Sequence, residues 1–303
     1  NGVAGNSEVG HMNLGSGKPV RQDLVRINEA VENRTLGEME KFRELLAKAK
    51  ENSGRIHLMG LLSDGGVHSH ISHIKETIKL LGEEEGIEVF FHAFMDGRDT
   101  APDCGEIYLK DILTLPNFTF ASMQGRSIGM DRDRRWEKIE KCYKALTGQG
   151  ASTDKSPIEY LKSEYVEKRN DEFLEPVLFD QKAAMKDDDC VFFMNFRPDR
   201  AAQITLALND PQFDHFERPW TPAYFLCMTP YVPDELDLPI LFDKEPIPGG
   251  FSEYLAKIGK KQFKIAETEK YAHVTYFFNG GRKKPFENEE QALIPSPKEV
   301  NTY

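Results

Sequence analysis

Short apolar runs alternate with amphipathic segments along most of the chain, and this rhythm constrains the fold more than any other feature. It begins with a charged, apolar-periodic segment over 36–49, followed by the apolar run IHLMGLL over 56–62. Apolar runs of this length are typical of strands buried on both faces, and the segments between them repeat with the 3.6-residue period of a helix. We therefore predict an α/β fold with mostly parallel sheets flanked by helices.

The same alternation predicts the remaining elements. Strands are expected at 89–95, 118–123, 190–196, 223–228 and 261–266. Helices are expected at 71–81, 106–113, 134–146, 201–208 and 251–258. A segment rich in Pro and Asp over 230–248 is expected to be irregular, and an extended segment is expected over 273–281. Since residues 1–21 precede the alternation, we expect two domains, the larger one inserted into the other.

Charge and cysteine usage exclude several classes of protein. The 303-residue chain has a net charge of −11, and nucleic acids and anionic membranes repel an acidic protein at long range. No run approaches the roughly 20 apolar residues of a membrane helix, and the first residues lack the pattern of a secretion signal. Four scattered cysteines indicate neither a disulfide framework nor a zinc site. We expect a cytoplasmic protein with no nucleic-acid or membrane partner.

Arginines follow three of the predicted strands, at the edge where ligands collect in parallel sheets. They are Arg98, Arg126, Arg132, Arg197 and Arg200. A guanidinium group matches phosphate and carboxylate oxygens with two parallel hydrogen bonds, which lysine cannot do. Any one of these arginines could simply pair with a nearby aspartate on the surface, but the clustering of all five at strand ends predicts a pocket for an anion.

The histidines divide into two groups by position. His68 lies in the glycine-rich loop SDGGVHSH and is a candidate for proton transfer or substrate hydrogen bonding. His70 and His73 have spacings that permit shared metal ligation, but they fall in the helix that follows and no cysteine is near them, so no metal is predicted there. His57 and His92 lie within apolar runs and are predicted to be hydrogen-bonded core residues.

Asp96 and Asp99 flank Arg98 in the motif DGRD. One carboxylate could hold the arginine in place. If the ligand is a hydroxy acid, the other could act as a general base on its hydroxyl group. Both roles are open for each residue at this point.

Ser7 follows Gly5 and Asn6 at a predicted helix N-terminus. A serine is a poor nucleophile unless a base or a metal lowers the cost of removing its proton. The free amides and the dipole of a helix N-terminus would stabilise an incoming phosphoryl group. The local pattern alone, however, fits an ordinary helix-capping serine better than a nucleophile.

Seven motifs, taken together and in order, resemble those of one enzyme family. They are GNSEVGHMN, SDGGVHSH, FMDGRDTAP, GRSIGMDRDRRW, NFRPDRAAQ, ETEKYAHVTYFFNGG and IPSPKEVNTY. They span almost the whole chain and resemble the cofactor-independent phosphoglycerate mutases of the alkaline phosphatase superfamily. The resemblance implies a monomeric isomerase of glycolysis that interconverts 3-phosphoglycerate and 2-phosphoglycerate without 2,3-bisphosphoglycerate.

The resemblance also implies domain limits and residue roles. Residues 1–21 and 246–303 match pieces of an incomplete phosphatase-like domain, and residues 22–245 match the inserted transferase domain. Ser7 matches the serine that becomes phosphorylated and that contacts one of two divalent ions, Mn²⁺ or Mg²⁺. Asp99 matches the proton carrier, and Lys270 matches a lysine that reaches the phosphoryl group. The implied substrate-binding residues are His68, Arg98, Asp99, Arg126, Arg132, Arg197 and Arg200.

The chain departs from the family pattern at both ends. The resemblance implies a metal-binding aspartate upstream of Ser7 and further Asp and His ligands downstream of Tyr303, so this polypeptide is expected to be a fragment that binds metal poorly and has little mutase activity by itself. Two alternatives are a phosphatase or sulfatase of the same superfamily and a non-enzymatic module that binds phosphoglycerate or another small carboxylate. A nicotinamide-dependent dehydrogenase ranks behind both, because no G-x-G-x-x-G turn follows a strand.

Overall fold

The computed structural model describes residues 7–244 and 246–296, and the chain divides into two compact units. The larger unit comprises residues 23–243. The smaller unit combines the chain up to Gln22 with the chain from Lys244 onward.

Strands and helices alternate through most of the described chain. The strands are β1 Arg55–Leu62, β2 Glu88–Met95, β3 Thr119–Gly125, β4 Val177–Leu178, β5 Cys190–Phe193, β6 Tyr224–Cys227, β7 Gln262–Glu267 and β8 Glu289–Ile294. The helices are α1 Ser7–Ser16, α2 Asp23–Glu32, α3 Glu40–Glu51, α4 Ile71–Gly82, α5 Gly105–Ile112, α6 Arg126–Gly129, α7 Trp136–Leu146, α8 Pro157–Val166, α9 Ala202–Asn209, α10 Phe251–Lys257 and α11 Thr268–Ala272. Among the described residues, none of these helices has the length and apolar content needed to cross a bilayer.

The larger unit contains a six-stranded sheet with the strand order β4-β3-β2-β1-β5-β6. Every neighbouring pair is parallel except β3 and β4, which are antiparallel. In the centre, Ile56 of β1 lies opposite Val89 of β2 on one side and Cys190 of β5 on the other. The predicted α/β class with a mostly parallel sheet is confirmed.

The central strand is buried on both faces, as its continuous apolar run predicts. Ile56, Leu58 and Leu62 pack into one hydrophobic cluster, whereas Met59 and Leu61 pack into the cluster on the opposite face. This division follows the two-residue period of a strand. Helices must therefore cover both faces of the sheet.

Helix α4 shows how the covering helices are positioned. Ile74, Ile78 and Leu81 lie on one face of α4 and are fully buried, and each contributes about 1.5–3 kcal/mol of transfer free energy. The helix begins directly after His70, whose ring nitrogen accepts a hydrogen bond from the Ser72 amide. Because α4 packs on the sheet from its first turn, it fixes the end of the loop that connects it to β1.

Strand order reverses direction at β1. The chain adds β2 and β3 on one side of β1, then returns to add β5 and β6 on the other side. In open parallel sheets, such a reversal leaves a crevice at the carboxyl ends of the two central strands. The Phe196 amide, beyond β5, donates to the His68 carbonyl, beyond β1, at 2.7 Å, which ties the two sides of this crevice together.

A buried hydrogen-bond chain lies near the amino-terminal ends of β1 and β5. The rings of His57 and His92 are 2.9 Å apart between Nδ1 and Nε2, His57 Nε2 lies 2.9 Å from Asp189, and His92 Nδ1 lies 2.8 Å from the Ser122 hydroxyl. Since an ionised carboxylate only accepts, one direction of donation, from Ser122 through both neutral rings to Asp189, satisfies every group. Both histidines are fully buried and bonded, as predicted for core residues.

The smaller unit contains a parallel pair, β7 and β8. Lys264 on β7 donates to the Ser252 hydroxyl at 2.8 Å and to Asn279, and its ammonium lies 3.3 Å from Glu289. The lysine side chain, only 9% exposed, therefore joins β7 to α10, to β8 and to the segment that follows α11.

The prediction of an extended segment over 273–281 is wrong. A π-helix, His273–Phe277, continues α11 instead. The Glu267 side chain accepts from the Glu269 amide and caps α11, and the Thr275 hydroxyl donates to the Tyr271 carbonyl at 2.6 Å. β-Branched and aromatic residues suggested a strand, but their preference for strands depends on a neighbouring strand to pair with. Here the capped start of α11 favours a helix instead.

Candidate functional site

His68 lies in the loop after β1, where it is almost completely buried. Its Nδ1 lies 3.8 Å from the Asp199 carboxylate. Burial and then the nearby charge of Arg126 lower the pKa of His68 to about 4. The ring is therefore neutral at neutral pH and is suited to hydrogen bonding rather than to holding an anion by charge.

The loop after β2 is organised by Asp96. Its Oδ1 accepts from the amides of Arg98 at 3.2 Å and Asp99 at 2.9 Å, and its Oδ2 accepts from the Ser63 hydroxyl at 2.6 Å. Burial alone would raise the pKa of Asp96, but the hydrogen bonds from Ser63, the Asp99 amide and Arg126 outweigh it and hold that pKa below its ordinary value. Asp96 therefore remains a carboxylate throughout the neutral range.

Gly97 makes the turn of this loop possible. Its φ is 66°, and a Cβ there would lie 2.8 Å from the Glu172 amide nitrogen.

We expect Gly97→Ala to lower the free energy of unfolding by about 2 kcal/mol or more, because left-handed strain and a backbone clash add. Gly86→Ala is the matched control, with a φ of 79° and open space around the Cβ, and should cost only about 1 kcal/mol. If urea titrations gave the same loss in free energy of unfolding for both variants, this explanation would be wrong.

Arg126 is the first residue of α6 and follows β3 directly. Its side chain is 2% exposed, and its Nη1 lies 2.6 Å from Asp96 and 2.5 Å from Asp99. Two carboxylates from the loop after β2 thus share one buried guanidinium. The sequence suggested that one of them holds Arg98, which they flank, but the structure pairs both with Arg126.

Arg98 instead points toward the rim. Its side chain is 57% exposed, and its guanidinium lies 3.3 Å from Glu172. An exposed ion pair of this kind contributes little to stability, so Arg98 can exchange its partner for a ligand at small cost.

Asp199 joins two of the predicted arginines, and the sequence analysis missed it. Its Oδ2 accepts from Arg132 at 2.9 Å, and its Oδ1 lies 2.9 Å from Arg197 Nε. Each guanidinium is held along one edge by Asp199, which leaves other N–H groups available to a ligand. The motif RPDR, with an aspartate between two candidate arginines, was the available signal.

Arg200 completes the cluster. Its Nη1 donates to the Met130 carbonyl at 3.0 Å, and its side chain is partly buried. Burial, and then the charges of Arg126, Arg132 and Arg98, lower the pKa of Arg200. Positive groups that come from separate loops therefore lie close enough to repel one another, which is the condition that an incoming anion relieves.

The structure places the two remaining predicted catalytic residues in the smaller unit. Ser7 is the first residue of α1 and is exposed, and its carbonyl accepts from His11 Nδ1 at 2.7 Å. Lys270 is exposed on α11. The residues directly before Ser7, and the motif IPSPKEVNTY beyond residue 296, lie outside the described residues.

The described residues do not build a metal site. Within residues 7–244 and 246–296, no group of three or more His, Cys, Asp or Glu side chains could hold an ion. The two histidines whose spacing would permit shared metal ligation have other partners. His73 Nε2 bonds Asn28 Oδ1 at 2.6 Å, and His70 Nδ1 accepts from the Ser72 amide. The side chains present thus do not fit the two-ion site that the resemblance implied.

Comparison with known families assigns the chain to one of them. The family model described as BPG-independent PGAM N-terminus matches residues 27–233. The chain belongs to this family. The motif resemblance is therefore confirmed, and the family region coincides with most of the larger unit and with all of its arginine-bearing loops.

Curated relatives in the family carry one name. The 2,3-bisphosphoglycerate-independent phosphoglycerate mutase of Clostridium novyi (strain NT) is 44% identical over 310 residues, covering 100% of this chain and 60% of the relative. The enzyme of the same name from Nitratidesulfovibrio vulgaris is 45% identical, covering 100% of this chain and 61% of the relative. The chain therefore spans about three fifths of the length of these relatives.

A solved structure supports the same assignment. The structure of Leishmania mexicana phosphoglycerate mutase at low cobalt concentration matches with a TM-score of 0.71 and 29% identity, covering 97% of this chain and 57% of that one. The family fold thus extends over nearly the whole chain.

Proposed function

We propose that this chain provides the phosphoglycerate site and the nucleophile of a 2,3-bisphosphoglycerate-independent phosphoglycerate mutase. The observation that carries the proposal is the cluster of guanidinium groups at the switch point of the parallel sheet, where their charges act on one another. Family membership and the shared name of the relatives support it. The reaction interconverts 3-phosphoglycerate and 2-phosphoglycerate.

The arginines suit a substrate with two anionic groups. Arg132 and Arg197, which both contact Asp199, offer N–H donors to a carboxylate or phosphate, and partly buried Arg200, whose Nη1 donates to the Met130 carbonyl, offers a further positive charge. His68, neutral and buried, can bond a hydroxyl group of the glycerate. Charge that spreads during phosphoryl transfer is stabilised by such fixed donors.

The proposed transfer is balanced in two halves. Ser7 Oγ bonds to phosphorus as the bond between phosphorus and the substrate oxygen breaks; the proton of Ser7 leaves to solvent, and Asp99, protonated at the start of the step, gives its proton to the freed glycerate oxygen. The other glycerate hydroxyl then attacks phosphoserine and gives its proton to Asp99, while the bond between phosphorus and Ser7 Oγ breaks and the freed Ser7 oxygen takes a proton from solvent. Lys270 is proposed to contact the phosphoryl group.

The described residues do not form a donor set for a divalent ion. The Mn²⁺ or Mg²⁺ requirement, the monomeric state and the cytoplasmic location stay predictions.

Anion binding tests the proposal on this chain. In calorimetric titrations with 3-phosphoglycerate, Arg200→Ala is expected to bind about tenfold more weakly or worse, because it deletes charge-assisted hydrogen bonds. The exposed Arg43 on α3 provides the control Arg43→Ala, which has the same charge change and should bind like the unchanged chain. The same affinity in all three proteins would contradict the proposed site. Chemistry is tested on the complete gene product, where 3-phosphoglycerate should add one phosphoryl mass at Ser7, and binding without that adduct or turnover would indicate a binding module instead.

A further inference from the structure

Asp96 joins the ends of three strands through one buried carboxylate. Its Oδ1 accepts from the amides of Arg98 and Asp99 and from Arg126 Nη1, and its Oδ2 accepts from the Ser63 hydroxyl. The side chain is 2% exposed. Four donors therefore converge on a group that solvent does not reach.

The two carboxylates on Arg126 have different surroundings. Asp99 is 18% exposed, and its Oδ2 contacts the same Nη1 that Asp96 contacts. One guanidinium shared by two carboxylates leaves one surplus negative charge, which a proton on either carboxylate would remove. Asp96 is unsuited to take it, because its oxygens already accept four donors and a proton would displace one of them. Asp99, at 18% exposed, is the carboxylate of the pair that a ligand can reach.

Charged groups of both signs surround this trio. Arg200 lies close enough to Arg126 for their charges to interact, Arg98 is paired with Glu172, and Asp199 lies 3.8 Å from the neutral ring of His68. Without the charge of Asp96, Asp99 would be the sole anion on Arg126 and would be held there as a permanent ion pair.

Resting on the proposed function, we infer that Asp96 is a positioning residue with two tasks. Its geometry holds Arg126 and the backbone that carries Arg98 and Asp99. Its charge balances Arg126, so that Asp99 remains able to carry the proton of the glycerate hydroxyl.

Two substitutions separate these tasks. Asp96→Asn keeps Oδ1 as an acceptor, and its new amide can donate to Ser63 Oγ, which already accepts from the Gly65 amide at 3.3 Å. Asp96→Ala removes both geometry and charge. The matched control is Asp133→Asn, in the exposed loop before α7, where the carboxylate pairs with Arg135.

Binding of 3-phosphoglycerate to this chain tests the geometric task. Asp96→Asn should bind at least as tightly as the unchanged chain, because the site becomes more positive, and Asp96→Ala should bind about tenfold more weakly or worse. Urea titrations establish which variants are folded under the binding conditions. Weakened binding by folded Asp96→Asn, or unchanged binding by Asp96→Ala, would overturn the positioning role.

Turnover by the complete gene product tests the role of the Asp96 charge. Asp96→Asn should lower kcat at least about tenfold with no rise in KM, since proton transfer to Asp99 is impaired while binding is intact. A purely structural role would instead raise KM along with the fall in kcat and would overturn the inference, as would a kcat equal to that of Asp133→Asn. If the unsubstituted gene product has no mutase activity, the proposed function fails, and the binding series alone decides whether Asp96 holds Arg126.

Discussion

Arg126→Met is expected to lower the free energy of unfolding of the larger unit by about 3–5 kcal/mol, because removing one partner of a buried ion pair leaves an uncompensated charge. Arg126 is 2% exposed, and the carboxylate it would leave behind, Asp96, is equally buried. Methionine keeps much of the apolar part of the arginine side chain, so the loss of stability measures mainly the missing charge and hydrogen bonds. Affinity for 3-phosphoglycerate should fall at the same time, since the cluster loses its buried cation.

A double variant separates the ion pair from simple packing. Combining Arg126→Met with Asp96→Asn removes the stranded charge, so part of the lost stability should return, whereas affinity should stay low. Urea unfolding of the two single variants and the double variant, analysed as a thermodynamic cycle, measures the coupling. Strictly additive losses would show that Asp96 does not depend on Arg126 for its charge balance.

Much of the fold follows from the sequence, because local patterns decide it. The continuous apolar runs predict the central parallel strands. The strand-end rule predicts that five arginines meet at one edge, namely Arg98, Arg126, Arg132, Arg197 and Arg200. Two strands were missed for physical reasons. β4 has only two residues, and β8 has the sequence EEQALI, whose half-polar character resembles a loop.

Which charged side chains pair with one another within the site could not be predicted from the sequence. The motif DGRD suggests a local pairing with Arg98, yet both carboxylates pair with Arg126, the first residue after the neighbouring strand β3. Such pairings depend on distances between strand ends, which the order of residues along one loop does not contain. The role of Asp199 was missed for the same reason, since its partners come from two separate loops.

The free energy of unfolding of the larger unit is expected to fall steeply as the pH drops from 6.5 toward about 4.5. Burial lowers the pKa of His57 and, much further, that of His92, and it lowers the pKa of His68 to about 4 and of His73 to about 3. Histidines in the unfolded chain take up protons near pH 6.5 while His68, His73 and His92 stay neutral in the fold, so the unfolded state binds more protons and is favoured as the pH falls.

Asp171 offsets the effect of one of these histidines on the pH dependence of stability. Burial raises the pKa of Asp171 to about 6, so the folded state binds a proton that the unfolded chain releases until the pH falls to the ordinary aspartate range. Three neutral histidines against one protonated Asp171 leave a net difference of about two protons, which gives a slope of about 3 kcal/mol per pH unit below about pH 5.5. The lowered pKa values of His57 and His70 act in the same direction. Because a domain has only about 5–15 kcal/mol of stability in total, the unit should unfold at mildly acidic pH.

Two variants should change this slope in opposite directions. His73→Gln can still donate to Asn28, and it should reduce the slope by about one proton's contribution, near 1.4 kcal/mol per pH unit. Asp171→Asn should increase the slope by the same amount, because it removes the opposing group while its amide oxygen can still accept from the Gly105 amide. Urea titrations at several pH values between 4.5 and 7 measure the slopes, and identical slopes in both variants would refute the assignment.

The reversal of strand order at β1 also has a consequence for how the protein reaches its folded state. β1 and β5 are neighbours in the sheet, yet all of β2, β3 and β4 lies between them in the chain. Pairing β5 with β1 closes a long loop, and such distant pairings form slowly. The crevice exists only after that closure, since His68 lies on one wall and Arg197 and Arg200 lie on the other. A newly made chain is therefore expected to complete the proposed anion site only at the end of folding, and a chain that stalls before β5 docks should not bind the anion.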